Sequence, residues 1–272
     1  MRFLNYSSIC LILFTSIVNA QTTPNELVSD FKIPEFSAQY ALYQNGKLLG
    51  ASEISLKKTG TSYQFSTNSK SEGGVASLVG GASISESSVF RPEAMKLYSM
   101  NYRYEQRISF KKRNREIVFD WRKNQAREDD GKDVISYLLS PGAIDRHLVV
   151  LALAQDLSRS SGPFVPATDS QVPAALPTVR NFSHLVAYKG TVEPWQFRLT
   201  GVEAVKTDLG LIQAEKIERV RAPSGSGRST TSWHAARYSY LPIRILQREP
   251  DGETLEMRLK SITLTPAVLG RR

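Results

Sequence analysis

The chain has 272 residues, with 35 Lys and Arg against 26 Asp and Glu, a formal net charge of +9 and a sequence pI near 9.6. A single cysteine, Cys10, excludes an intrachain disulfide and a thiolate metal cluster, so stability has to come from burial. The basic surplus, in a chain read as exported, points to anionic lipid head groups, lipopolysaccharide or wall polymers, and argues against nucleic acid as a partner.

Residues 1–20 open with Arg2, continue into an apolar stretch from Ile9 to Val18 and end on Val18-Asn19-Ala20. That is the pattern of a secretory signal, with cleavage expected after Ala20 and a soluble periplasmic product. The apolar stretch is about half of the roughly 20 residues a membrane-crossing helix needs. Cys10 precedes most of it, which disfavours a lipid-modified cysteine. Cleavage removes the only cysteine and leaves a lead-in, residues 21–35.

From residue 36 period-2 alternation dominates. FSAQYALYQNGKLLGASEISL places Phe36, Ala38, Tyr40 and Leu42 on one face, turns at Asn45-Gly46 and resumes with Leu48, Gly50, Ser52, Ile54 and Leu56. Tyr63, Phe65 and Thr67 continue as a third strand, and GGVASLVGG at 73–81 reads as a corner. SISESSVF and MKLYSMNYRYEQR follow as strands, the second with Tyr98, Met100, Tyr102 and Tyr104 on one face. ISFKKRNREIVFDW predicts a hairpin around Arg113-Asn114.

One helix is predicted at about 143–158, where Ile144, Leu148, Leu151 and Leu157 recur at helical spacing after Pro141-Gly142. Asp145 and His147, at i and i+2 on that helix, are expected to diverge. The Pro-rich stretch at about 162–180 is a long connection. Six further strands carry the chain to about 264, PSGSGRS at 223–229 forms a hairpin loop, and residues 265–272 are a loose tail. Near the end, Trp233 and His234 fall on opposite faces of a strand that reaches a corner at Arg237 to Pro242. The fold expected is mainly β: one domain over 36–264, a curved antiparallel sheet forming an open or closed barrel with one substantial helix.

No constellation identifies a reaction. His147, His184 and His234 lie in separate elements without metal-ligand spacing, so no metal and no cofactor is predicted. No nucleophile elbow or phosphate loop is present. The aromatic supply is the richer signal: a curved sheet with little helix to fill it leaves a cavity, and Tyr40, Tyr102, Trp121 and Trp233 are the candidate ligand contacts. Trp233 is the one best placed to touch a ligand, with His234 a bystander. Residues 107–127 hold eight Lys and Arg against Glu116 and Asp120, and Lys111, Lys112, Arg113 and Arg115 are the candidates for an anionic surface.

Five stretches share an order and spacing that resembles one family: the opening FSAQYALYQNGKLLGASEISL, FDW at 119–121, IDRHLVVLALAQDL at 144–157, GVEAVKTDLGLIQAEKIER at 201–219 and SWHAARYSYLPIRILQRE at 232–249. They resemble the exported bacterial proteins grouped as domain-of-unknown-function family 3108, over about residues 36–264. The resemblance implies a Gram-negative envelope protein on a β-rich, barrel-like scaffold and brings no established activity. The last hairpin is also similar to that of periplasmic lipoprotein carriers, whose open barrel holds a hydrophobic cavity.

The function expected is non-enzymatic: a periplasmic protein holding a lipid-like ligand, a glycan or a partner's apolar segment in a barrel cavity, with peripheral contact to anionic membrane. The alternatives are a periplasmic hydrolase of wall or lipid drawing on Glu53, Glu86, Glu105 or Asp120, and an envelope-assembly scaffold without ligand. Sequence leaves ligand identity and oligomeric state open.

Overall fold

The computed structural model describes residues 31–71, 81–160, 179–221 and 227–265. The predicted signal, the corner at 73–81 except Gly81, nearly all of the Pro-rich connection, most of the 223–229 loop and the tail beyond Thr265 lie outside the described residues.

Up-and-down antiparallel pairing builds the first half of the sheet from β1 (Phe36–Gln44), β2 (Lys47–Thr59), β3 (Ser62–Ser71), β4 (Ala82–Glu93), β5 (Lys96–Ile108), β6 (Lys111–Asp120), β7 (Gln125–Asp129) and β8 (Val134–Leu138). A two-residue strand β9 (Ile144–Asp145) leads into helix α1 (Val149–Ser160). The second half contains β10 (Arg180–Tyr188), β11 (Thr191–Thr207), β12 (Gly210–Val220), β13 (Ser229–Ala235), β14 (Leu241–Arg248) and β15 (Thr254–Leu264). β1 pairs with β15, joining the halves into one sheet of 15 strands that runs from β8 at one edge to β9 at the other. Only the short β9–β10 pairing is parallel.

Asn45-Gly46 forms the first turn as expected: both residues are left-handed, φ 50° and 75°, the geometry that Asn-Gly hairpins favour. The next ribbon differs. The β5–β6 turn falls at Ser109-Phe110, with Ser109 at φ 51°, while Arg113 and Asn114 pair with Gln106 and Glu105 inside the ladder. β5 also breaks its alternation. Its fully buried positions run Leu97, Ser99, then Tyr102, because Met100 is the extra residue between the pairs Phe90–Ser99 and Val89–Asn101. Tyr98 and Met100 therefore do not share the face of Tyr102.

Register explains the core. One ladder row crosses seven strands through Phe36, Leu56, Phe65, Ser88, Tyr102, Ile117 and Glu128, all buried; Ser88 and Glu128 alone interrupt its apolar character. The next row, two residues along, is more polar: Ala38, Ile54, Thr67, Glu86, Tyr104 and Arg115. The concave side thus grades from apolar to polar toward the β5–β6 turn.

Helix α1 occupies that concave side. Val149, Leu151, Ala152, Leu153, Ala154, Gln155 and Leu157 are all buried, so nearly every side of the helix meets protein. It packs on β10 and β14 and shares one core with Phe65, Phe90, Leu199, Ile217 and Leu241. Leu148, Leu151 and Leu157 have no exposed surface, and truncating any one to Ala costs about 2–5 kcal/mol. A second, smaller core gathers Tyr102, Ile117, Phe119, Ala126, Leu139, Ala143 and Ala187.

The helix begins later than periodicity suggests. Residues 144–148 are a bridge and a turn, because Asp145 Oδ1 accepts the backbone N–H groups of His147 (3.0 Å) and Leu148 (3.1 Å), a local arrangement that competes with helix. No ladder closes the barrel from β8 to β9 among the described residues. No helix among them is long and apolar enough to cross a membrane.

Candidate functional site

The segment Ile144-Asp145-Arg146-His147-Leu148 carries three ionisable groups into the polar rows of the sheet. β9 leads it across β5, and β3, β4 and β5 each supply a hydroxyl beneath it. Ser99 Oγ donates to Asp145 Oδ2 and accepts the Asp145 N–H, both at 2.8 Å. Ser88 Oγ donates to Asp145 Oδ1 at 2.8 Å and lies 3.1 Å from His147 Nδ1. Thr67 Oγ1 lies 2.9 Å from His147 Nε2, and the imidazole stacks on Phe65 at 4.3 Å.

Asp145 and His147 therefore converge on Ser88, contrary to the divergence expected of two residues on one helix; the turn puts them on the same side. The bonding directions follow from the donors available. An ionised carboxylate can only accept, so the single Ser88 proton goes to Asp145; with that proton committed, His147 Nδ1–H donates to Ser88, and Nε2 accepts from Thr67. Burial lowers the His147 pKa to about 4 and keeps the ring neutral, whereas burial raises that of Asp145 to about 6 against the hydrogen bonds it accepts.

Arg146 points the other way along the same polar layer. Its guanidinium donates to Glu86 Oε1 at 2.7 Å and lies 5.1 Å from the centroids of both Tyr104 and Tyr188. Glu86 also accepts the Tyr102 hydroxyl at 2.6 Å. Burial pushes Glu86 up, but the positive charge of Arg146 and the hydrogen bonds donated by Arg146 and Tyr102 bring it below the usual carboxylate range. The Tyr102 hydroxyl is raised by burial and then by Glu86.

This cluster links β3, β4, β5 and β9 through buried hydrogen bonds. Nucleophilic catalysis requires the hydroxyl to donate to the imidazole, with the substrate carbonyl in reach. Here the hydroxyl donates to the carboxylate, and Ser88, Ser99 and Asp145 have no exposed surface. The other carboxylates weighed for hydrolysis lie elsewhere: Glu105 holds Arg107 at 2.7 Å, Asp120 accepts the backbone N–H groups of Arg122 and Lys123, and Glu53 is exposed on β2. No group of three or more acidic, His or Cys side chains among the described residues is placed to hold a metal.

The four candidate aromatics divide between the two cores, Tyr40 and Trp233 in the main one, Tyr102 in the second and Trp121 packed against it. Tyr40 is 2% exposed and donates to Pro242 O at 2.8 Å, tying β1 to β14. Tyr102 lies in the second core, as described. Trp121 donates to Ser99 O at 2.7 Å and packs edge-on against Tyr98 at 5.3 Å. Trp233 is 5% exposed; its indole N–H donates to Glu203 Oε2 at 2.8 Å, and the Arg244 guanidinium covers the ring at 4.5 Å. His234 holds the corner: it is 1% exposed, and its Nδ1 meets Tyr240 O at 2.7 Å.

An open cleft of about 340 Å³ lies between α1, the start of β5 and β10. Leu97, Ile144 and Ala152 are its buried apolar part, and Met95, Lys96 and Arg159 stand at its more exposed rim. Asp156 Oδ2 and His184 Nε2 approach to 3.1 Å on one wall without hydrogen-bonding geometry, an ion pair only when the ring is protonated.

Of the candidate anionic-surface cations, Arg115 is set apart. It pairs with the buried Glu128, and its guanidinium lies 4.8 Å from the Tyr188 ring centroid. Lys111, Lys112 and Arg113 are exposed at the start of β6.

Fold and site together define a β-rich, open-barrel protein whose interior is occupied by a helix and a buried polar cluster. The chain belongs to the family described as "Protein of unknown function (DUF3108)", whose model matches residues 39–260. No curated protein matches it. Among solved structures, it is similar to a crystal structure described as that of "a putative lipoprotein from Parabacteroides distasonis" at 8% identity, covering 86% of this chain and 96% of that one with a TM-score of 0.30.

Proposed function

We propose that the chain is a non-enzymatic protein of the bacterial envelope, exported to the periplasm, that binds an amphipathic molecule or a partner's apolar segment. The observation that carries this reading is the open cleft beside α1, with an apolar floor and a rim holding Lys96, Asp156 and Arg159. At about 340 Å³ it is near the lower end of ligand sites, sized for one acyl chain or a few side chains. The binding place thus moves from the concave aromatic face to the edge of the helix that fills it. Export is supported by the signal-like residues 1–20 and by the absence of cysteine after them.

The reading is tested by native mass spectrometry and solvent extraction of the chain from residue 21 onward, purified from a periplasmic fraction. A bound amphiphile that disappears in Met95→Asp, which alters the exposed rim alone, is the expected result. A chain that carries no small molecule and co-purifies only with proteins would favour an assembly scaffold instead. A cytoplasmic location would remove the envelope assignment.

A further inference from the structure

The β5–β6 ribbon ends in a feature that neither the cores nor the cleft uses. Its two-residue turn places Phe110 at the apex with its side chain entirely exposed, 100%, and Ile108 beside it at 48%. A fully exposed Phe at a hairpin apex is held in water at a cost, since burying such a ring is strongly favourable. The apex is not a loose end. Ser109 N–H donates to Gly81 O at 3.2 Å, which ties the turn to the residue preceding β4.

Cations surround the apex on both faces of the ribbon. The pairs Ile108–Lys111, Arg107–Lys112 and Gln106–Arg113 alternate in direction, so Lys111 and Arg113 project from one face and Arg107 and Lys112 from the other. Glu105 takes up part of the charge on one face, at 2.7 Å from Arg107 and 3.4 Å from Lys112. On the other face Lys111 and Arg113 form no ion pair among the described residues. An apolar apex ringed by cations suits end-on approach to a surface that is apolar within and anionic outside, which is the layering of an anionic bilayer. A folded acidic protein would match the charge but leave Phe110 without a place to insert.

The rim of the sheet agrees with one-sided contact. Lys70 lies in the same ladder row as Arg107 and Lys112, and Lys47 and the 62%-exposed Leu48 follow the β1–β2 turn at the same end. Beyond Lys47 the adjoining β14–β15 turn, bonded to the β1–β2 turn by the Asn45 N–H to Thr254 O at 2.9 Å, carries Glu249, Asp251 and Glu253, with Glu249 paired to Arg228 at 2.8 Å, so the cationic stretch of this rim runs from β6 to β2 and ends there.

We propose that the β5–β6 ribbon is a membrane-docking finger: Phe110 enters the head-group layer of an anionic phospholipid bilayer while Arg107, Lys111, Lys112 and Arg113 engage lipid phosphates. The site is separate from the cleft, so the two proposals stand or fall independently.

The test is co-sedimentation of the chain from residue 21 onward, which keeps every described residue, with vesicles of phosphatidylcholine alone or mixed in about equal parts with phosphatidylglycerol. The chain should bind the mixed vesicles, weaken as salt rises and leave phosphatidylcholine largely unbound. Phe110→Ser should reduce partitioning about tenfold, from the lost burial of the ring. Lys111→Glu with Arg113→Glu should reduce it by about twentyfold or more. All these side chains are exposed, so thermal unfolding should be unchanged, and Met95→Asp at the cleft should bind vesicles as the parent does. In Phe110→Trp, emission should shift to the blue on mixed vesicles. Equal binding to both vesicle types, binding that survives Phe110→Ser and the double reversal, or binding to lipopolysaccharide but not to phospholipid would overturn the proposal.

Discussion

Ser88 Oγ donates its proton to Asp145 Oδ1 at 2.8 Å, although the ring nitrogen of His147 lies only 3.1 Å away. That direction organises the polar layer. Asp145 ties β9 to β4 and β5 through two hydroxyls and shapes the turn that admits the helix, so one carboxylate joins sheet, bridge and helix.

Asp145→Ala should leave the donors of Ser88, Ser99, His147 and Leu148 without their acceptor in a buried site. Losses of about 1–3 kcal/mol for a buried unpaired donor, and more where a charged acceptor is removed, predict at least about 3 kcal/mol of destabilisation in total. Asp145→Asn should cost less, because its amide oxygen still accepts. Urea unfolding measures both, and an Asp145→Ala loss below about 1 kcal/mol would show that the cluster does not organise the fold.

Stability should fall as pH drops from about 6.5 to 4. The folded pKa of both His147 and His234 is lowered to about 4, so across that window the unfolded chain binds two protons that the native chain excludes. Asp145 acts in the opposite sense: raised to about 6, it binds a proton in the native state before it does when unfolded. Two histidines outweigh one aspartate, and net stability declines on acidification. His234→Asn removes one histidine and should nearly flatten the profile over this range. Melting temperature against pH reads both outcomes.

The barrel seam is held by Glu128, 1% exposed on β7. Its carboxylate accepts the Lys189 N–H at 3.1 Å and the Gly190 N–H at 2.9 Å in the β10–β11 turn, along with the Tyr137 hydroxyl and the Arg115 guanidinium. Side-chain bonds thus do across this gap what a ladder would do in a closed barrel. Glu128→Ala should accelerate hydrogen exchange at Lys189 and Gly190 well beyond any change in α1, and cost about 3–5 kcal/mol by stranding Arg115. Gly190→Ala should destabilise as well: φ is 77°, and a Cβ would sit 2.5 Å from Ile135 Cδ1. If exchange rises uniformly in Glu128→Ala, the seam is not a separate unit.

Much of this architecture was legible from residue patterns, and the departures have physical causes. The Asn45-Gly46 turn and the strand-rich barrel class were readable because the backbone demands there match the residues' intrinsic preferences. The β5–β6 turn was not, because Ser109 adopts a left-handed conformation usually left to Gly or Asn, and Asn114 nearby was the more obvious turn former. The buried cluster left one trace: Thr67, Ser88 and Ser99, on three adjacent strands, sit at inward positions where alternation calls for apolar side chains. The 12-residue helix α1, buried on nearly all sides, lies inside the curl, and the open cleft sits at its edge.

The corner at the end of β13 supplies the last prediction. Ser239 and Tyr240 are both left-handed, φ 54° and 58°, and such conformations persist only where neighbours enforce them. His234 does so: Tyr240 O can only accept, so Nδ1 carries the proton, and Nε2, 2.9 Å from Ser232 Oγ, accepts from that hydroxyl. His234→Asn keeps a donor at the Nδ1 position and should cost about 1 kcal/mol, whereas His234→Ala releases the corner and should cost about 3 kcal/mol or more. Ser239→Gly should stabilise by up to about 1 kcal/mol by removing the Cβ penalty. Ring nitrogen shifts measured by NMR at neutral pH should show His234 and His147 both protonated at Nδ1. An Nε2–H form at His147 would mean that Thr67 accepts and that Ser88 gives its proton to the imidazole, which would reopen the nucleophilic reading of that serine.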